Sequence, residues 1–334
     1  MSELRIFICA DASPKIGTGH IMRELALAQA ANVSGIPVHI TGRAGVEWVR
    51  ERLKNEDVSF SELDGLVPET ENPENLLTQL STSNKGDWIV LDGYHFGLAC
   101  QQAVRAAGYK LLVIDDYAHL PEYSCDILLN QNIGAKEFVY KGYIGQQLLG
   151  PNYALLRPEF FTARKKAEDR QFPKKARNIL LTLGGGDFSE HLARIAPNFA
   201  FPELEDCNLR VIAGAVPPER IHTLLWNCRA KLEILNHVND MPALLLDTDL
   251  CVTAGGSTCW ELCCLGVPFL TVEVAENQRY ITYFLQKIGI APDYIFETFA
   301  ALMLNRAVRQ KQASAGLALV DGLGAGRVIN AMTG

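Results

Sequence analysis

Short apolar runs alternate with helical segments along the whole chain, and this alternation is the feature that most constrains the fold. The pattern runs through the first half and begins again at residue 178. Strands that alternate with helices form a parallel sheet that helices cover on both faces. The predicted strands are 5–10, 37–41, 88–92, 110–115 and 126–129, followed by 178–183, 209–213, 231–235, 250–253 and 269–272.

The length of 334 residues and the repeated pattern predict two α/β domains of the doubly wound, Rossmann-like kind. We place an N-terminal domain at 1–160, a linker at 161–177 and a C-terminal domain at 178–334, whose last helix can pack back on the first domain. The linker stretch is charged and contains proline, although a solvated helix end fits the same charges. Because ligands bind beyond the carboxyl ends of parallel strands, we expect the domains to face each other across a cleft.

Composition excludes several classes of function. A formal charge of −7 argues against nucleic acid or an anionic membrane as the partner. No apolar run approaches the roughly 20 residues that span a bilayer, and the N-terminus lacks a signal-peptide pattern. We therefore expect a cytoplasmic monomer with a small-molecule substrate. The nine cysteines form no paired Cys-x-x-Cys elements, so we interpret them as buried apolar residues and predict no metal, disulfide or cofactor.

The segment Gly17-Thr18-Gly19-His20 joins the first predicted strand to the first predicted helix. Glycines allow a tight turn and a close approach to a ligand, and a helix N-terminus favours anions. The same helix end disfavours an imidazolium, so His20 would be available as a neutral base. The alternative is a tight turn in which His20 is only a polar cap.

Acidic residues end three strands of the first domain, at Asp11, at Asp92 and at the pair Asp115-Asp116. We expect them at the sheet edge that also carries His20, where a carboxylate could orient the imidazole and stabilise its protonated form. Turn capping is the alternative for each of them. The residues do not show which carboxylate contacts His20.

A second glycine loop, Gly255-Gly256-Ser257-Thr258, follows the predicted strand 250–253. Ser257 or Thr258 can cap the next helix, whose free amides suit a diphosphate, and Glu261 could accept hydrogen bonds from a ribose. A capped turn with a solvent-facing glutamate is the alternative. No Walker-type lysine follows, which argues against phosphoryl transfer. The loop at 184–186 and the segment 276–278 could contact the same ligand.

Several of these motifs together resemble the bacterial UDP-2,4-diacetamido-2,4,6-trideoxy-β-L-altropyranose hydrolases of pseudaminic acid biosynthesis. Those enzymes are similar in fold to the GT-B glycosyltransferases, particularly the one that makes lipid II. The resemblance runs over nearly the whole chain and implies an α/β, GT-B-like fold. The matching segments are 10–12, 16–23, 113–116, 149–160, 255–261 and 275–278.

The resemblance implies hydrolysis of the UDP-sugar to UDP and free sugar, with inversion at the anomeric carbon and no metal requirement. It implies that His20 is the general base and that Tyr94 and Asn277 are further active-site residues. Phe188 departs from the family pattern, which has a proline- or asparagine-containing turn there. The predicted substrate-binding residues are Gly17, Gly19, Asp11, Arg23, Gly185, Gly186, Gly256, Ser257, Thr258, Glu261, Glu276 and Gln278.

Two other functions remain open from the sequence. A glycosyltransferase on the same scaffold would pass the sugar to an acceptor hydroxyl instead of water. A nucleotide-sugar binding protein would bind without turnover, and such a protein has no need of the base at His20.

Overall fold

The computed structural model describes residues 4–13, 16–56 and 58–334, which form two compact units. The first unit contains Thr18–Pro158 and Leu323–Gly334, together with the described residues before position 14. The second unit contains Glu159–Gly322 together with the described residues 16 and 17. Each unit is built around one parallel sheet, so the predicted α/β fold class is confirmed.

The first unit has a seven-stranded parallel sheet in the order β3-β2-β1-β4-β5-β6-β7. Its strands are β1 (Ile6–Ala10), β2 (Val38–Gly42), β3 (Ser59–Glu62), β4 (Trp88–Asp92), β5 (Lys110–Ile114), β6 (Tyr123–Asn130) and β7 (Gly142–Leu149). Its helices between strands are α1 (Gly19–Val33), α2 (Glu47–Asn55), α3 (Pro73–Gln79) and α4 (Leu98–Ala106).

The inner strand β1 explains why this sheet is covered on both faces. All five of its residues are buried. Ile6 and Ile8 pack in a core cluster with residues of α1, whereas Phe7 and Cys9 pack in another with residues of α3 and α4. A strand that is buried on both faces consists of consecutive apolar residues, as the residues of β1 do.

The second unit has a five-stranded parallel sheet in the order β10-β9-β8-β11-β12. The strands are β8 (Asn178–Thr182), β9 (Asn208–Ile212), β10 (Lys231–Leu235), β11 (Leu250–Ala254) and β12 (Phe269–Val272). The helices are α5 (Pro158–Glu168), α6 (Ser189–Ile195), α7 (Pro218–Leu224), α8 (Met241–Leu246), α9 (Thr258–Cys264), α10 (Arg279–Lys287), α11 (Phe296–Leu304) and α12 (Arg306–Leu319).

Two segments complete the units. The last helix, α13 (Gly324–Thr333), packs on α1, and the Trp88 indole donates a hydrogen bond to the Met332 carbonyl, 2.8 Å away. Helix α5 occupies the start of the segment predicted as an exposed linker. It buries Phe160 and Ala167, and its Arg164 donates to carbonyls of the second unit, including that of Leu317 at 2.7 Å. These contacts explain why this segment is ordered as helix.

Both sheets change winding direction at one place. In the first unit the chain runs outward from β1 to β2 and β3, and on the other side from β4 onward. In the second unit the same change falls between β8 and β11. The loops that follow the two strands at such a point diverge and leave a crevice, where ligands bind in open α/β sheets. This topology singles out the loops after β1 and β4, and those after β8 and β11.

Candidate active site

The first candidate site is built around His20 at the carboxyl edge of the first sheet. Helix α1 begins at Gly19, so His20 lies in its first turn, and Thr18 at the N-cap forms no side-chain cap. The backbone at Gly17 has a φ of 78°, the left-handed region that glycine adopts without strain. The imidazole is 14% exposed, which leaves it accessible from one side.

Asp92, the last residue of β4, is the carboxylate that contacts His20. The Nδ1 atom of His20 lies 2.7 Å from Oδ1 of Asp92 and 3.2 Å from Nη2 of Arg23. Two acceptors at 2.7 Å would repel, so Nδ1 carries a proton and donates a hydrogen bond to Asp92. The neutral ring then has its lone pair on Nε2. The expectation that a strand-end carboxylate lies beside His20 is confirmed.

Arg23 holds this carboxylate in place. Its Nε donates to Oδ2 of Asp92 at 2.7 Å, and its Nη2 donates to Oδ1 at 2.6 Å, which is a bidentate pair. Its Nη1 donates to Oδ1 of Asp116 at 2.8 Å. The guanidinium is buried, and each of its three nitrogens donates to one of these two carboxylates. The predicted substrate-binding residue Arg23 is thus engaged with protein groups, and a positioning role fits it better.

Burial alone would raise the pKa values of Asp92 and Asp116. The charge and hydrogen bonds of Arg23 outweigh burial, so both pKa values lie below the ordinary value for aspartate. The pKa of Arg23 is in turn raised, because the two carboxylates outweigh its own desolvation. Arg23, Asp92 and Asp116 are therefore all charged at neutral pH.

Tyr94 and Asn132 extend the cluster from Asp116. The Tyr94 hydroxyl donates to Oδ2 of Asp116 at 2.8 Å, and Nδ2 of Asn132 donates to Oδ1 at 2.8 Å. The Tyr94 ring packs edge-on against the ring of His20, with centroids 5.4 Å apart. Asn132 was missed by the sequence reasoning, although polar residues follow β6 at the same sheet edge, as they do after β4.

Asp11 and Asp115 lie at the same edge but have other partners. Asp11 accepts from the backbone amide of Arg43 at 2.6 Å, and its Oδ2 lies 3.1 Å from Nε2 of His95. Asp115 binds Nδ1 of His119 at 2.5 Å and accepts from the Tyr123 hydroxyl at 2.6 Å. Asp115 therefore fixes the loop that follows it, as the turn-capping alternative has it. Asp11 instead contacts the loops that follow β2 and β4.

In the second unit, Gln278 ties two predicted binding segments together. Its Oε1 accepts from the backbone amides of Gly255 and Val274, each at 3.2 Å. A Cβ on Gly255 would lie 2.7 Å from Cγ2 of Thr282, whereas a Cβ on Gly256 would meet nothing within 4 Å. The loop after β11 thus packs closely on the start of α10 at Gly255 and is open at Gly256.

The remaining predicted residues of this unit lie at the carboxyl edge of its sheet. Ser257 is the N-cap of α9 but forms no side-chain cap, because its backbone is helical rather than extended, so the predicted capping by Ser257 is wrong. Glu276 is exposed. The partly buried residues in this group are Gly185, Gly186, Thr258, Glu261 and Asn277.

The loop after β8 departs from the resembling family at Phe188, and the structure shows what holds it. Oδ1 of Asp187 accepts from the amide of Ser189 at 2.9 Å and from its hydroxyl at 2.6 Å. The Phe188 ring is buried in the core of the second unit. This turn therefore depends on an aspartate and an aromatic anchor.

Within the described ranges, no three histidine, cysteine or acidic side chains are grouped as metal ligands. All nine cysteines are free thiols, and burial raises the pKa values of Cys264 and Cys207 to about 11. No helix in the described part of the chain is long and apolar enough to cross a membrane.

The two parallel-sheet units define a GT-B-like fold, and solved structures share it over the full chain. MurG of Acinetobacter baumannii covers 98% of this chain and 99% of its own, with a TM-score of 0.68 and 17% identity. A Staphylococcus aureus MnaA–UDP structure covers 99% of this chain and 96% of its own, with a TM-score of 0.67 and 12% identity. No protein-family model matches the chain.

Curated relatives are each 24% identical to the chain. The spore coat polysaccharide biosynthesis protein SpsG of Bacillus subtilis is aligned over 97% of this chain and 96% of its own length. The UDP-2,4-diacetamido-2,4,6-trideoxy-β-L-altropyranose hydrolase of Campylobacter jejuni is aligned over 87% and 99%, respectively. An uncharacterized protein of Methanocaldococcus jannaschii is aligned over 83% of this chain, which spans only 57% of that relative.

Proposed function

We propose that the protein is an enzyme of nucleotide-sugar metabolism that hydrolyses UDP-2,4-diacetamido-2,4,6-trideoxy-β-L-altropyranose to UDP and the free sugar. The observation that carries the proposal is the His20–Asp92 pair, which leaves Nε2 of a partly exposed imidazole as the acceptor for a proton. The name of the Campylobacter jejuni relative supports the choice of substrate and of hydrolysis.

The proposed reaction is a direct displacement in which His20 is the general base. Nε2 takes a proton from water while the water oxygen bonds to the anomeric carbon. The bond between that carbon and the diphosphate oxygen breaks, and its electron pair leaves with UDP. Asp92 stabilises the imidazolium that forms, since it accepts the hydrogen bond from Nδ1 throughout. Attack opposite to the leaving group inverts the anomeric carbon.

We assign UDP binding to the second unit, at the loops that follow β8 and β11. These loops lie at the winding change of the sheet, and the one after β11 is fixed by Gln278. Glu261 would accept hydrogen bonds from the ribose. Asn277 would contact the sugar, next to Glu276. A domain organisation of 1–160 and 178–334 is part of the same proposal.

A glycosyltransferase is the second candidate, and a specific observation favours it. The solved structures that share the fold include several glycosyltransferases. The base at His20 could activate an acceptor hydroxyl as well as water. The two functions therefore differ in the nucleophile and not in the residues that activate it.

One assay separates the candidates. The protein is incubated with the UDP-sugar, with and without acceptor alcohols and chelator, and both UDP and free sugar are measured. Equal release of the two without acceptor supports hydrolysis, acceptor-dependent release supports transfer, and binding without release contradicts both. Inversion is read from the anomer that first appears.

Two substitutions test the assigned roles. His20→Ala should keep UDP affinity and lower turnover about 10²- to 10⁴-fold, the usual contribution of a general base. His222→Ala, at an exposed position on α7, is the matched control. Near-normal turnover of the His20 variant would contradict the role of His20 as the general base. Glu261→Ala should weaken UDP binding more than it slows the bound substrate's reaction.

A further inference from the structure

Glu24 is a buried carboxyl that the proposed mechanism does not use. It follows Arg23 on α1, and its side chain is fully buried, with 0% exposure. Neither of its carboxyl oxygens accepts a hydrogen bond from any described residue. Burying an ionised carboxylate that no hydrogen-bond donor contacts has a large cost in free energy, which favours the protonated form of Glu24.

The groups that face Glu24 come from three elements. They are Asp92 on β4, Arg23 on its own helix and the Cys9 thiol on β1. Burial, together with the neighbouring charge of Asp92, raises the pKa of Glu24 well above its ordinary value, and Arg23 offsets this only in part. Asp92 is within hydrogen-bond reach. Since Asp92 is ionised and can only accept, this hydrogen bond requires the proton on Glu24.

The proton on Glu24 determines the net charge of the cluster around His20. Arg23 contributes one positive charge, and Asp92 and Asp116 contribute one negative charge each. With Glu24 neutral, the cluster has one unmatched negative charge, which an imidazolium at His20 balances. An ionised Glu24 would add a second unmatched negative charge and would compete for Arg23, whose nitrogens already donate to Asp92 and Asp116.

We propose that Glu24 is a positioning residue that acts as a neutral acid, keeping its carboxyl proton and donating a hydrogen bond through it to Asp92. It thereby fixes Asp92 against Arg23 and His20 and leaves the cluster a single negative charge for the proton that His20 takes up. The catalytic consequence rests on the function proposed above, but the protonation state of Glu24 does not, and the two can be tested separately.

The first experiment measures stability against pH and needs no activity. A carboxyl whose pKa is raised by folding stabilises the protein below its unfolded-state pKa and loses that contribution as pH rises towards the folded value. Glu24→Gln cannot ionise, so its melting temperature should rise relative to that of the unsubstituted protein as the pH increases above about 5. Glu51→Gln, on the exposed side of α2, should show no such trend. A difference for Glu24→Gln that does not change with pH would overturn the proposal.

The second experiment measures turnover of the UDP-sugar against pH. Glu24→Gln keeps a donor towards Asp92, so kcat should stay within about threefold and the acid limb of kcat/KM should not move. A shift of that limb to lower pH by about half a unit or more would mean that a negative charge had been removed, and would refute the neutral acid.

Glu24→Leu completes the comparison, because it removes the donor. We expect kcat to fall about 10- to 100-fold with KM nearly unchanged. An active Leu variant with unchanged kcat would refute the positioning role. If Glu24→Leu does not fold, the activity of Glu24→Gln and the pH dependence of its melting temperature still decide the protonation state of Glu24. If neither protein nor variant turns over the UDP-sugar, the proposed function fails while the stability result stands.

Discussion

Asp92→Asn is the substitution that tests the candidate site most directly. The carboxylate offers Oδ2 to Nε of Arg23, and Oδ1 to both Nη2 of Arg23 and Nδ1 of His20. An asparagine has one acceptor oxygen for these donors. If its amide nitrogen faces Nε, two donors meet at 2.7 Å. If it faces His20, it donates to Nδ1 and moves the ring proton to Nε2, which then cannot act as a base.

The expected loss follows from both orientations. Either one removes the negative charge that balances the imidazolium, and the second also selects the wrong tautomer. A substitution of this kind in a serine protease lowers kcat about 10⁴-fold, and general-base catalysis contributes about 10²- to 10⁴-fold. We therefore expect kcat to fall by about 10²- to 10⁴-fold, with UDP affinity within about threefold of the unsubstituted protein.

Stability also changes, and the assay must separate the two effects. Breaking one partner of a buried ion pair costs about 3–5 kcal/mol, and the cost here should lie at the low end because Asp116 still binds Nη1 of Arg23. Turnover is measured at a temperature where thermal unfolding shows the variant folded. Asp126→Asn is the matched control, since Asp126 accepts from the Leu111 amide at 2.8 Å in the same sheet, outside the cluster. A folded Asp92→Asn enzyme with kcat within about tenfold would refute the reasoning.

Three further predictions concern the two units. Gly255→Ala should lower the free energy of unfolding by about 1–3 kcal/mol and weaken UDP binding, because the added Cβ has no room. Gly256→Ala should change stability little, since its Cβ meets no atom within 4 Å. Thermal melts compare the stabilities of the two variants, and calorimetric titration compares their affinities for UDP. The lowered pKa values of Asp92 and Asp116 stabilise the fold above the unfolded-state pKa, so urea unfolding should show stability falling below about pH 4. Tyr94→Phe keeps the ring but loses the bond to Asp116, so kcat should fall about tenfold, and equal rates would contradict a positioning role.

The sequence predicted the inner strands of both sheets because burial on both faces makes them apolar throughout. Strand β4 spans Trp88–Asp92 as predicted, and β11, inside the second sheet, spans Leu250–Ala254, one residue beyond the predicted 250–253. The strands β3 and β7 were missed for the opposite reason. Both lie at the edges of the first sheet, and most of their side chains are exposed, so they carry polar residues without an apolar run.

The segment predicted as a linker illustrates a different limit. Its run of charged residues favoured an exposed linker. Charged residues on one face of a helix do not show whether the opposite face is buried. Phe160 and Ala167 are buried, and Arg164 reaches backbone carbonyls of the second unit. A guanidinium that satisfies distant carbonyls cannot be identified from its own sequence neighbourhood, since its partners depend on the tertiary fold.

The choice of Asp92 over the other strand-end aspartates depends on information that the sequence holds only in part. Arg23 lies three residues after His20, and residues at this spacing share a helix face, so the carboxylate that pairs with Arg23 must also approach His20. Strand order decides which one this is. Ala10 pairs with Asp92 across β1 and β4, whereas Asp11 is held by Arg43 on the β2 side. In this chain the three-residue spacing brings His20 and Arg23 to one carboxylate, and the strand across the winding change supplies it.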